Sequence, residues 1–151
     1  MSFSRDAMRG NLVKTFTYKN SVIIKAPLSR VFEASLNYPY FVSAYSFKKG
    51  TVENRTIKVE VGTRYLFFET RWTGTGLISE KMIEYSQTSG LLKGLISKWI
   101  FVEDGQQTRV IIDIEFKRNF FLGHIFLPKL SKIVQTILSD LDHYVSSKPK
   151  I

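Results

Sequence analysis

Chemistry on a protein surface needs polar side chains that converge, with at least one proton donor or acceptor tuned to its task. This sequence offers few. Its histidines are His124 and His143, and it has no cysteine, which rules out disulfides and thiolate chemistry. His143 falls on the polar side of a helical pattern and reads as a solvated residue. His124 sits beside Gly123 in an apolar stretch, Phe120 to Leu127. A capping or structural role suits it better than a hydrogen bond to a ligand at a cavity mouth. Zinc sites usually draw three or four N, S or O ligands, so two distant histidines make no metal site, and no cofactor is expected. Carboxylates pair at Glu80 and Glu84, Asp113 and Glu115, and Asp140 and Asp142. Asp113 and Glu115 share a strand face opposite Ile112 and Ile114, and so point outward. Asp140 and Asp142 belong to a solvated helix face. Glu80 and Glu84 share a parity with Ile78 and Met82, so one of them could turn inward as an acid or base. No phosphate-cradling glycine loop and no GxSxG elbow occurs.

The elements that must hold these residues are mostly strands, organised around one helix. From Leu127 to Val145 the apolar residues Leu127, Leu130, Ile133, Val134, Ile137, Leu138, Leu141, Tyr144 and Val145 form one stripe of a 3.6-residue period, with polar residues between them. Pro128 suits a first helical turn. Upstream, Leu12 to Lys25 reads as a long first strand. Pro27 opens a short helix, Leu28 to Leu36, and a second short helix or turn follows over Tyr40 to Ser46. Lys49 to Val61 gives one or two strands with a polar tip at Glu53-Asn54-Arg55. Tyr65 to Trp72 is a β-prone run, turned at Thr73-Gly74 or Gly76, and Leu77 to Tyr85 returns. Leu91 to Val102 follows with a break at Gly94. Asp104-Gly105 is the clearest hairpin signal. Arg109 to Lys117 alternates cleanly, with Val110, Ile112, Ile114 and Phe116 on one side. Short connections after Gly50 make the sheet a meander. The first strand is expected to pair with the last.

The length of 151 residues suits one domain. Residues 1–11 read as a flexible N-terminus, 12–147 as the domain and 148–151 as a tail. No stretch approaches the roughly 20 apolar residues of a membrane span, and the N-terminus lacks a secretory h-region. A cytoplasmic protein is the default expectation. The net charge of +9 is carried mostly by residues 1–75. It favours anionic partners, such as an anionic membrane surface, RNA or a ribosome. The basic residues Lys48, Lys49, Arg55, Lys58, Arg64 and Arg71 are scattered over turns and strand ends, without an RNP-like motif.

At the first strand-to-helix junction stand Ser21-Val22-Ile23-Ile24-Lys25-Ala26-Pro27 and then Val31-Phe32. Further on come Gly62, Met82-Ile83-Glu84-Tyr85, Trp99-Ile100-Phe101, Gly105 and Thr108-Arg109-Val110. Over about residues 14–147 this pattern resembles the SRPBCC helix-grip superfamily of START lipid-transfer domains, polyketide cyclases and coenzyme-Q-binding proteins. The resemblance implies an α+β fold: a curved antiparallel sheet of six to seven strands wrapped around a long C-terminal helix, two short helices after strand 1, and an apolar cavity between sheet and helix. Asn37 stands where the superfamily often has Asp.

The expected function is non-enzymatic binding or transport of a hydrophobic small molecule or lipid in that cavity. Its lining takes the apolar parity of each strand: Leu66, Phe68 and Trp72; Ile78 and Met82; Trp99 and Phe101; Ile112 and Ile114; then Phe126, Leu130, Ile133 and Ile137 from the helix. The phase of the 65–72 strand stays open, because Tyr65 and Phe67 occupy its other face. The rivals are a cyclase or hydrolase using Glu80, Glu84 or His124, and a basic adaptor with a filled core. Phe120-Phe121-Leu122 and Ile125-Phe126-Leu127 are read first as a buried turn, with a cavity gate or a membrane-touching lip as alternatives.

Overall fold

Alternation of apolar and polar residues between short polar turns dictates consecutive hairpins, and the computed structural model has them. The structure describes residues 13–37, 41–43, 45–65 and 68–147, with the backbone alone at 64–65 and 68–69. The strands are β1 (Val13–Ile24), β2 (Tyr45–Glu53), β3 (Thr56–Tyr65), β4 (Phe68–Ser79), β5 (Met82–Gln87), β6 (Ile96–Asp104) and β7 (Gln107–Asn119). Helix α1 (Leu28–Ser35) follows β1, and α2 (Phe120–Ser147) follows β7. All neighbouring strands are antiparallel, in the order β1-β7-β6-β5-β4-β3-β2. The first strand pairs with the last as expected, Phe16 opposite Phe116 and Ile24 opposite Thr108. The expectations for residues 1–11 and 148–151 lie outside the described residues. So do Tyr40 and Ala44 of the expected second helix, whose Tyr45 and Ser46 already belong to β2.

Two hairpins follow their turn chemistry. Asn54 and Gly105 both take positive φ, 56° and 63°, in the two-residue loops that close β2–β3 and β6–β7. The middle of the sheet departs from expectation. Tyr65 to Trp72 is not one strand: Tyr65 ends β3 and pairs with Phe68, which begins β4. Strand β4 then runs straight through Thr73, Gly74 and Gly76, and the chain reverses at Glu80-Lys81, with Ser79 opposite Met82. The glycines serve packing rather than turning. A Cβ on Gly76 would stand 2.7 Å from Tyr85 Cε1, and one on Gly74 3.3 Å from Val59 Cγ2. The reversal also changes parity. Ile78 pairs with Ile83, so even residues face inward on β4 and odd ones on β5.

The inner face of the sheet supplies Val110, Ile112, Ile114 and Phe116 from β7, Trp99 and Phe101 from β6, and Ile83 and Tyr85 from β5, all buried. Val134, Ile137, Leu138, Leu141 and Val145 of α2 are buried against that side of the molecule. Each large side chain so buried contributes about 1.5–3 kcal/mol. Helix α1 closes one end: Phe32 meets Phe101 edge-on at 5.0 Å, and Arg30 Nη2 donates to the Val145 carbonyl at 2.7 Å. Buried Thr108 donates from Oγ1 to the Ala26 carbonyl at 2.9 Å, sealing the β1–α1 junction.

Helix α2 starts at Phe120, earlier than the stripe from Leu127 suggests. Asn119 explains the start, because its Oδ1 accepts the Leu122 N–H at 2.8 Å and satisfies a first-turn amide. The stretch Phe120 to Leu127 is therefore not a buried turn. It is helical, and Phe120, Phe121, Leu122 and Ile125 are exposed. Pro128 lies inside the helix, where it removes the amide that would bond the His124 carbonyl.

Candidate ligand cavity

Helix α2 packs most closely along β1 and β7. The opposite wing of the curved sheet, β3 to β5, leaves space beneath the helix, and that space is a cavity of about 130 Å³. Its floor is aromatic. Tyr85 and Trp99 meet edge-on at 5.4 Å, and Tyr45 meets Trp72 edge-on at 6.1 Å. Ile112 and Ile114 of β7 continue the floor, and Phe126, Leu130, Ile133, Val134 and Ile137 of α2 form the roof. Hydroxyl and amide groups come from Thr63, Thr70, Ser86, Gln87 and Ser97; Ser97 Oγ accepts from Trp99 Nε1 at 3.2 Å.

The exposed members of the lining are Arg71, Gly90, Leu91 and Lys129, and they mark the rim. The β5–β6 turn that carries Gly90 and Leu91 is pinned to β4. Thr73 N–H donates to Ser89 Oγ at 2.9 Å, Thr88 N–H donates to the Thr73 carbonyl at 2.8 Å, and the hydroxyls of Thr73 and Thr88 lie 2.7 Å apart. Gly90, at φ 89°, lets that turn close against Trp72. Arg71 lays its guanidinium over the Phe47 ring at 3.9 Å.

An engineered apolar cavity of about 150 Å³ takes up benzene. The present one therefore suits a single ring or a short acyl segment, and anything larger would extend through the rim. Among the described lining residues there is no carboxylate and no histidine; Tyr45, Arg71, Tyr85 and Lys129 are the titratable ones. No group of His, Asp and Glu that could hold a metal ion occurs among the described residues. No helix among them is long and apolar enough to cross a membrane.

Trp72, Trp99, Ile112, Ile114, Phe126, Leu130, Ile133 and Ile137 come together on the cavity. Phe101 and Ile78 do not line it; they pack in the core below α1 and along β4. Met82 is corrected outright. It pairs with Ile100 on the outer face, while Ile83 and Tyr85 take the inner one. Leu66 lies outside the described residues, and so does the Phe68 side chain. The change of parity also removes the carboxylates. Glu80 is exposed in the turn, and Glu84 lies on the outer face with Oε1 3.9 Å from Lys98 Nζ, a surface pair of little energetic weight.

His124 stands clear of the cavity. Its Nδ1 is 3.1 Å from the Phe120 carbonyl oxygen, and its ring lies 4.2 Å from Phe120 and edge-on to Phe16 at 5.4 Å. His143 is exposed on α2, and Asp113 and Glu115 stay on the outer face of β7. Asp140 has a structural task that composition does not reveal: its Oδ2 accepts from both the N–H and the hydroxyl of Ser43 at 2.9 Å. Sequence reasoning missed Tyr45, Arg71, Tyr85 and Lys129. No sequence signal pointed to Tyr85: Gly76, the strand glycine that makes room for its ring, has turn composition, and the two pair only with the reversal at Glu80-Lys81.

No protein-family model and no curated relative matches the sequence. Solved structures do match it in fold. The Zhui aromatase/cyclase from Streptomyces sp. R1128 aligns with a TM-score of 0.76 at 13% identity, over 88% of this chain and 94% of that one. TTHA0849 from Thermus thermophilus gives 0.73 at 16% identity, over 88% and 100%. A truncated norcoclaurine synthase from Thalictrum flavum gives 0.69 at 10% identity, over 91% and 97%. At these identities the likeness is one of fold.

Proposed function

From the helix-grip fold that this chain shares with an aromatase/cyclase and a norcoclaurine synthase, we propose that it binds a hydrophobic small molecule or a lipid segment between the sheet and α2. The observation that carries the reading is the cavity itself: an aromatic floor, an aliphatic roof, a few hydroxyls on the walls and a lysine at the rim. Such a lining desolvates an apolar body and leaves its polar end at the rim beside Lys129, while the Arg71 guanidinium is held over Phe47 on the outer face. A ligand with a neutral or anionic polar end fits that arrangement, and a cationic one does not. Aromatic side chains that would stack bases need to be exposed on the sheet, whereas Trp72, Tyr85, Trp99 and Phe101 face inward, which favours a small ligand over RNA.

A cyclase working through Glu80, Glu84 or His124 has lost its geometric basis, since none of them reaches the cavity. Ring closure on a bound chain would have to rely on how the walls fold that chain, with Tyr45, Tyr85 and Lys129 as the groups able to polarise it. The test is organic extraction of the purified protein followed by mass spectrometry, together with titration of an apolar fluorescent probe. A stoichiometric hydrophobic species that displaces the probe is the expected result. A protein that carries nothing and takes up no probe would overturn the reading.

A further inference from the structure

Large exposed apolar side chains gather at one end of the molecule. Phe120 is 50% exposed, Phe121 70%, Leu122 38% and Ile125 42%, all on the first turns of α2, and Leu91 is 66% exposed on the β5–β6 turn. Arg118 joins the two segments by donating from Nη2 to the Leu91 carbonyl. Leu91 also stands on the rim of the cavity, as does Lys129 one turn beyond Ile125, and Phe126, one turn beyond Leu122, enters its roof. The patch therefore borders the mouth. Contiguous exposed apolar surface of this kind marks an interaction site.

Charge selects the occupant. Lys14 places Nζ 5.5 Å from the centre of the Phe120 ring. Lys93 follows Leu91 closely, Lys117 and Arg118 precede the helix, and Lys129 and Lys132 follow the patch along it. The three segments that meet here, residues 13–32, 85–102 and 116–139, contain no Asp or Glu. The nearest acidic residue along β7, Glu115, pairs with Thr17 on the outer face. An apolar wedge flanked by these lysines and Arg118 is complementary to a bilayer that carries anionic headgroups, where each feature meets its match at a different depth.

We propose that the first turns of α2 and the β5–β6 turn dock on an anionic membrane surface, with Phe121 and Ile125 inserted, so that the cavity mouth opens onto the bilayer. This rests on the cavity reading and deepens it: the hydrophobic ligand passes between membrane and cavity without crossing water.

Co-sedimentation with vesicles of equal parts phosphatidylcholine and phosphatidylglycerol tests it, against pure phosphatidylcholine and at low and physiological salt. The parent protein binds the anionic vesicles more tightly, and raised salt weakens the binding. The exposed double variant Phe121→Ser/Ile125→Ser loses about tenfold in vesicle affinity. The charge variant Lys14→Gln/Lys117→Gln loses about fivefold per removed cation. Both variants melt cooperatively and take up the fluorescent probe from solution as the parent does. A folded Phe121→Ser/Ile125→Ser protein that binds anionic vesicles like the parent overturns the docking surface. So does a parent that ignores them, or a parent dimer in light scattering that this variant dissolves, since a second copy then covers the face. Loss of vesicle binding with probe uptake intact, in the parent, sinks the docking and spares the cavity. Docking without any probe uptake sinks the cavity and the ligand exchange while the surface stands.

Discussion

Replacing Ile137 by tryptophan asks whether the space beneath α2 is usable volume. Ile137 is 5% exposed and projects from the middle of the helix into the cavity roof. In a solid core the larger ring would cost about 1–3 kcal/mol through off-rotamer neighbours and backbone shifts. In a domain of this size that lowers the melting temperature by about 2–4 °C per kcal/mol. The cavity of about 130 Å³ offers the alternative. An indole that settles there removes on the order of 60 Å² more apolar surface from water than the isoleucine, about 1.5 kcal/mol at 25 cal/mol per Å². Set against imperfect shape matching, the net change should stay within about 1 kcal/mol of zero. The same ring occupies the ligand's place, so probe affinity should fall by tenfold or more, about 1.4 kcal/mol or above. Thermal unfolding by circular dichroism and probe titration read the two quantities on one sample. A variant that melts about 8 °C or more below the parent, from a parent that never took up probe, would refute the cavity and leave α2 as the centre of a filled core.

Three further predictions rest on specific contacts. Gly76→Ala should push the Tyr85 ring toward the cavity, because the new Cβ would stand 2.7 Å from Cε1; probe affinity and stability should fall together, the latter by about 1–3 kcal/mol, and an unchanged denaturant midpoint would contradict the packing. Gly123→Ala gains about 1 kcal/mol of helix propensity, but its Cβ would collide with the Phe16 ring, which stacks on Phe116 at 5.3 Å and has little room to move; the expected outcome is net destabilisation, and a raised melting temperature would show that the ring yields. Glu80→Gln, Glu84→Gln and His124→Ala should each leave probe affinity within about twofold of the parent, as expected for side chains away from the cavity; a variant that folds normally but loses binding would return that residue to the site.

What was legible in the sequence follows from how local each signal was. Strand β7 alternates without interruption, and Asp104-Gly105 needs only its own backbone conformation, so both are as expected. The stripe on α2 was legible because a helix repeats its own period. The β3–β5 region was not. Thr73-Gly74 and Gly76 have turn composition, but their glycines answer a partner strand that sequence distance hides: Gly76 faces Tyr85. Placing the reversal there instead of at Glu80-Lys81 put Met82 and Glu84 on the wrong face and hid Tyr85. The start of α2 was lost for a similar reason. Pro128 imitates a first-turn residue, whereas the side chain that caps the helix is Asn119, and a lone asparagine before an apolar run is a weak signal. Lys129 looked like one more solvated lysine, since only the strand wing opposite it makes that position a rim.

The register of β1 on β7 bears on how the chain reaches this structure in time. From β2 through β6 every strand lies beside its neighbour in sequence, so those hairpins close over a few residues. Val13, by contrast, waits for Asn119, and Ile24 for Thr108. Closing that long interval costs entropy before any contact repays it, so β1 should join late, once β6 and β7 offer it an edge. Until α2 folds over it, the inner face of the meander presents Trp72, Tyr85 and Trp99 to water, an invitation to misassembly at high concentration. Pulse-labelled hydrogen exchange during refolding should protect β4 and β5 amides before those of β1, and the reverse order would mean that the two ends of the chain meet first.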